Sequence, residues 1–266
     1  MSDDIHEVYA VKYAHHGPRS AALNFIDGDP HQTSQDLDFY VWAVVGKHGA
    51  VIVDTGFDDA MAKKRGRTIL KPIAEGLKSI GIPPDSVNNV VITHLHYDHA
   101  GNYDVFPNAR YHLQDCEMDF ATGRCMCDAN MRVAFEADDV TALVRKVFAD
   151  RVTFHDGESQ IAPGITVHHI GGHSKGLQAV RVKTRRGHVV LASDSTHLYD
   201  HIEQNKVFPI TYSAQDAVKG YATLKALASS PRHIIPGHDP EVLARYPAPN
   251  DALRDWVAKL DAEPKM

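Results

Sequence analysis

Three cysteines in 266 residues are too few, and oddly numbered, for a disulfide framework. Cys116, Cys125 and Cys127 are clustered, but the single residue between the last two is not the gap of a zinc knuckle or a thioredoxin motif. Free thiols in a reducing compartment are the expectation. No apolar run approaches the length of a membrane span. The acidic start, Met1-Ser2-Asp3-Asp4-Ile5, lacks the apolar stretch of a secretory signal. A cytoplasmic location with no membrane partner follows as an expectation. Basic charge is also short: 28 Lys and Arg stand against 34 Asp and Glu, for a net charge of −6. The one basic run, Lys63-Lys64-Arg65-Gly66-Arg67, reads as a solvated loop, so no face for nucleic acid is expected.

What is present reads as an ordinary globular chain, with 43% hydrophobic and 23% charged residues. It carries no Gly/Ser/Pro linker, repeat or low-complexity tract, which favours one domain over residues 1–266. Residues 1–36 mix short apolar pieces with turn formers. The alternation from Phe39 to Val45 and the run Ala50 to Asp54 predict a hairpin across Gly46-Lys47-His48-Gly49. Helical spacing of Ile69, Leu70, Ile73, Leu77 and Ile80 predicts a helix from about Thr68 to Ser79. Residues 128–149 are rich in helix formers, and Asp216 to Ser229 has one apolar helical face. Short strands are expected at 89–93, 111–113, 165–170, 179–182, 189–192 and 233–235.

The stretch Thr93-His94-Leu95-His96-Tyr97-Asp98-His99-Ala100-Gly101 follows the apolar Val90-Val91-Ile92. His94 and His96, two apart, project the same way on an extended segment, and a turn can swing Asp98 and His99 beside them. Three imidazoles and a carboxylate packed together carry desolvation and charge costs that a metal relieves. The bland reading, a solvated His-rich loop, fits poorly straight after a buried strand. Three further loops repeat the pattern of an apolar strand ending in a His or Asp: Gly171-Gly172-His173, Ser193-Asp194-Ser195 and Pro236-Gly237-His238. Singly each is more often a turn than a ligand, but their order behind the first cluster points to a site mounted on strand ends.

The series His94-x-His96-x-Asp98-His99, His173, Asp194 and His238, with Asp54-Thr55-Gly56 before it, resembles the metallo-β-lactamase superfamily over roughly residues 37–240. The resemblance implies an α/β fold, the four-layer αββα metallo-β-lactamase sandwich, with a two-metal site at one edge. It assigns His94, His96 and His173 to one metal, Asp98, His99 and His238 to the other, and Asp194 to both, bridging them with a water or hydroxide. Two divalent ions are implied, zinc foremost, with iron, cobalt or manganese suiting the same donors.

The stretch from His94 to Asn102 and the Pro236-Gly237-His238-Asp239 ending are similar to those of N-acyl homoserine lactonases. They imply metal-dependent hydrolysis of a small lactone or ester, with an N-acyl homoserine lactone (quorum quenching) or a catabolic lactone as substrate. In that mechanism Asp98 is also the general acid. Those lactonases place a Tyr three residues after the bridging Asp, where this chain has His197. Either His197 or Tyr199 is then expected to bind the substrate carbonyl oxygen. A glyoxalase II-like thioesterase, another small-ester hydrolase and a degenerate binding scaffold are the alternatives, and a homodimer is left open. His15-His16 reads as a solvated loop rather than a substrate entrance, Trp42 and Trp256 as core. Met118, Phe120 and Met131, in the stretch 115–135, are candidates to line an apolar groove, with a helical cap over the sheet as the equal alternative for that segment.

Overall fold

The computed structural model describes residues 4–265. Its first sheet runs, in spatial order, Val257–Lys259, Glu7–His16, Leu37–Gly46, Gly49–Val53, Asn89–Val91, Arg110–Gln114 and Val152–His155. The short Thr68–Ile69 strand pairs with the end of Glu7–His16. Pairing is antiparallel up to Gly49–Val53 and parallel beyond it. The second sheet orders Ser159–Ala162, Ile165–His169, Gln178–Thr184, Gly187–Ser193 and Ile234–Pro236.

Both faces of Leu37–Gly46 are buried through its first eight positions, because it lies between two layers. Tyr40, Trp42 and Val44 face Val167, Val180 and Leu191 of the second sheet. Phe39, Val41 and Ala43 face away, into a cluster with Ile73 and Leu77 of the helix Ile73–Ser79 and Leu143 of the helix Ala137–Phe148. The helix Ala214–Leu227 covers the outside of the second sheet through Tyr221 and Leu224, against Val190 and Ile234. The result is the expected four-layer αββα sandwich. Among the described residues no helix is long and apolar enough to cross a membrane.

Four local expectations are corrected. Residues 7–16 form a ten-residue strand inside the first sheet, so His15 and His16 close a strand instead of lying in a loop. The helix expected from Thr68 begins at Ile73. Pro72 lacks an N–H and disfavours helical backbone at Lys71, so the chain stays extended before it. The basic run is not a loop: Lys63, Lys64 and Arg65 form the last turn of the helix Asp59–Arg65, capped by Asp58 and ended by left-handed Gly66 at φ 64°. Residues 128–136 are not helical, because Phe135 bridges to His96 and Ala134 accepts from the Tyr97 N–H at 2.9 Å.

Candidate metal centre

Asp54 begins the site, at the end of Gly49–Val53. Its backbone is left-handed (φ 65°), a conformation that costs energy outside glycine. The bend points its carboxylate at the next strand end, where it accepts from Thr93 N–H at 2.7 Å, Thr93 Oγ1 at 2.8 Å and His99 Nδ1 at 2.7 Å. Ser193 has the same strained backbone (φ 46°) just ahead of Asp194. Gly237 leaves room for that turn: a Cβ there would stand 2.6 Å from Asp194 Oδ1.

The seven residues expected as ligands converge. His94, His96 and His173 bring ligand atoms within 4.8 Å of one another, as do Asp98, His99 and His238. The Asp194 carboxylate lies between the two trios. Its Oδ2 is 3.2 Å from His173 Nε2 and its Oδ1 is 3.0 Å from His238 Nε2 and 3.2 Å from His99 Nε2. Outward bonds fix which nitrogen faces in. His94 Nδ1 donates to Thr93 Oγ1, His99 Nδ1 to Asp54, His173 Nδ1 to the Ile210 carbonyl and His238 Nδ1 to the Asp38 carbonyl.

Burial holds the pKa of His94 and His96 well below the ordinary imidazole value, and neighbouring histidines push the same way. Burial also acts to lower His99 and His238, but the carboxylates of Asp194 and Asp98 outweigh it and raise both. His99 Nε2 and Asp194 Oδ1 are buried without a hydrogen-bond partner among the described residues. Unpaired acceptors and lone pairs converging in a dry pocket are costly, and divalent cations would satisfy them. Imidazole and carboxylate donors in this ratio fit zinc, iron, cobalt or manganese.

His197 reaches the cluster, but its Nε2–H donates to Asp194 Oδ2 at 2.8 Å and its ring stacks on Phe208 at 3.6 Å. Tyr199 does not reach it. Its side chain is buried between the sheets, lies 3.6 Å beneath the Arg245 guanidinium and lines a different cavity. The expectation that Tyr199 could touch a bound carbonyl is corrected: the chain turns into the helix Tyr199–Gln204 there, with Tyr199 N–H held by Asp239 at 2.8 Å.

A cavity of about 100 Å³ opens directly on Asp98, Asp194, His197 and His238. A second, of about 260 Å³, shares His96 and His173 with it and is walled by Phe120, Met131, Phe135 and Tyr212. Met118, expected beside Phe120, lies in another depression near Phe148.

Glu117 escaped notice in the sequence. Fully buried, it accepts from Leu95 N–H at 2.9 Å with one oxygen and from Gly176 N–H at 2.8 Å with the other. It thereby ties the loop of His94 and His96 to the loop of His173. The only signal was an acid on the inner face of a short helix, Asp115–Thr122.

A family model described as the metallo-beta-lactamase superfamily matches residues 39–238. The N-acyl homoserine lactonase AiiA of Bacillus thuringiensis subsp. kurstaki is 26% identical over 223 residues, covering 77% of this chain and 83% of the relative. The N-acyl homoserine lactonase AttM of Agrobacterium fabrum is 26% identical over 175 residues, covering 64% of this chain and 65% of its own length. A solved quorum-quenching N-acyl homoserine lactone lactonase shares the fold, with a TM-score of 0.75 at 21% identity over 91% of this chain and 95% of that one.

Proposed function

The chain belongs to the metallo-beta-lactamase superfamily, and on that premise we propose that it is a two-metal hydrolase that opens a lactone ring. The observation that carries the proposal is the Asp194 carboxylate, with Oδ2 toward His173 and Oδ1 toward His238. In this reading His94, His96 and His173 hold one ion, Asp98, His99 and His238 hold the other, and Asp194 serves both. Zinc is the proposed metal. The ions, when bound, supply an acidified water and a polarised ester carbonyl.

The chain's own residues then bind, orient and move protons. Asp98, the member of the second trio that also lines the cavity, takes the proton released by the attacking water and carries it to the ring oxygen as that oxygen leaves. His197 keeps Asp194 Oδ2 turned toward the first trio through its 2.8 Å hydrogen bond. Relatives named as N-acyl homoserine lactonases support a lactone as the substrate class, and an N-acyl homoserine lactone is the first compound to test. The proposal is for a single-domain cytoplasmic enzyme acting on a small molecule, with no nucleic-acid or membrane partner, as monomer or homodimer.

The test is a panel on metal-loaded protein: N-acyl homoserine lactones, unrelated lactones, S-lactoylglutathione and a phosphodiester. Ring opening supports the reading. Turnover of the thioester alone would make the protein a glyoxalase II-like thioesterase instead. Bound metal with no turnover of any of them would leave a binding scaffold.

A further inference from the structure

Two arginines enter the cavity beside the metal cluster, which Asp98 and Asp194 also line, and neither makes an ion pair with a carboxylate among the described residues. Arg19 lies just past the strand Glu7–His16 and Arg67 just past the helix Asp59–Arg65, and both line the cavity that holds Asp98 and His238. They approach the His16 ring from opposite sides. Arg19 Nη1 is 2.9 Å from His16 Nδ1, and Arg67 Nη1 is 3.0 Å from His16 Nε2. Burial, with the charges of Arg67 and Arg19, lowers the pKa of His16 to about 4, so the ring is neutral. A neutral imidazole accepts at one nitrogen only, so one guanidinium meets an N–H and lacks an acceptor there.

The other contacts of the pair are to neutral groups. Arg19 Nε donates to Asn24 Oδ1 at 2.7 Å and Nη2 to the Leu23 carbonyl at 2.6 Å. Arg67 Nε donates to Tyr97 Oη at 3.1 Å and Nη1 to the Arg65 carbonyl at 2.7 Å. Among the described residues Arg67 Nη2 has no partner, and neither guanidinium is in ion-pair contact with a carboxylate. The neighbouring Arg65 differs, since its Nε donates to Glu136 Oε1 at 3.1 Å. Tyr97 and then Asp36 act to stabilise the charge of Arg19, but the Asp36 carboxylate faces His15 Nε2 at 3.3 Å. Two half-buried cations set around one neutral ring repel each other, and an anion would relieve both.

The adjoining cavity offers the opposite chemistry, with Phe120, Met131, Phe135 and Tyr212 on its walls. The reacting centre thus lies between an apolar lobe and a cationic one. We propose that Arg19 and Arg67 form an anion subsite, and that the lactone this protein opens carries a carboxylate directed away from its apolar part. The inference rests on the proposed lactone hydrolysis for the ring, but not for the anion. A guanidinium fork matches a carboxylate with two parallel N–H donors, and Arg67 Nη2 is available for one of them.

The test compares 5-oxotetrahydrofuran-2-carboxylate with its methyl ester as substrates of the metal-loaded full chain. The wild type is expected to prefer the acid by about tenfold in kcat/KM, mostly through KM. Arg67→Met and Arg19→Met should each bring that ratio toward one, and Arg67→Lys should keep part of it. Equal use of acid and ester by the wild type overturns the subsite, as does an equal loss on both substrates in the Met variants. If neither lactone opens, the lactone reading is decided by the wider substrate panel and the subsite is read by calorimetry, with glutarate against monomethyl glutarate. Tighter binding of glutarate to the wild type, lost in Arg67→Met, supports the subsite. Equal binding of the two by the wild type overturns it.

Discussion

His94 and His173 meet Nε2 to Nε2 at 3.1 Å, in a site where both rings are buried. Each has given its Nδ1 proton outward, to Thr93 Oγ1 and to the Ile210 carbonyl, so two lone pairs face each other. Such a contact is repulsive until a cation stands between the nitrogens.

Metal removal should therefore cost stability. A dication at a thousand times its dissociation constant adds about 4 kcal/mol to the folded state. For a chain of this size that is a rise of roughly 8–16 °C in Tm. Scanning calorimetry of chelator-treated protein, before and after adding back zinc, reads the shift directly. An unchanged Tm would sink the metal reading.

The two trios should separate by metal count. His94→Ala removes a nitrogen from one trio only and is expected to leave about half the wild-type metal. Asp194→Ala removes the oxygens that face both trios and should leave close to none. Elemental analysis of dialysed protein makes the comparison, and lactone turnover should be lost in both variants. Equal loss of metal in both would argue against Asp194 serving two ions.

Glu117 is expected to tolerate neither Ala nor Gln. Each of its oxygens accepts one backbone N–H, and a Gln side chain would turn an NH₂ toward either Leu95 or Gly176. Hydrogen bonds to a charged group contribute about 1.5–3 kcal/mol each, so in urea unfolding Glu117→Gln, which spoils one, should lose about 1.5–3 kcal/mol and Glu117→Ala, which removes both, about 3–6 kcal/mol. A Glu117→Gln protein within about 0.5 kcal/mol of the wild type would refute the tie between the two loops.

His197→Phe should lower kcat by about tenfold or more while metal content falls little, because the ring orients Asp194 rather than holding the fold. Tyr199→Phe is expected to change neither, since its hydroxyl is buried without a partner among the described residues. Steady-state kinetics with matched metal analysis tell them apart. A larger loss in Tyr199→Phe would restore Tyr199 to the site.

The metal cluster was legible because its residues are local: four donors within six positions need only one strand end and one turn to converge. The hairpin of Leu37–Gly46 and Gly49–Val53 was legible for the same reason, through alternation and two glycines. Glu7–His16 was not, because a register shift between Lys12 and Ala14 breaks its period of two. Glu117 is partnered across 22 and 59 residues of sequence, and no local pattern announces such a tie. Arg67 sits in a run of bases that reads as a solvated surface. Only the tertiary contact with His16, 51 residues away, turns it into the cavity.

Asp139 yields a pH dependence away from the metal cluster. Burial first, and then the charges of Glu136, Asp58 and Asp138, push its carboxyl up to about 7. Its Oδ2 is buried without a partner among the described residues. A folded pKa above the unfolded value near 3.8 means that the folded state holds the proton longer. The carboxyl therefore costs nothing at pH 3, and its penalty grows as the unfolded chain ionises between about pH 4 and 7. Above pH 7 the penalty is constant, and solvent screening of this half-buried group limits it to the order of 1–3 kcal/mol. Asp139→Asn should therefore stabilise the protein at pH 8 and have little effect at pH 4. Urea midpoints of both proteins at the two pH values measure the difference. A gain that is the same at both, or larger at pH 4, would contradict a raised carboxyl and point to packing instead.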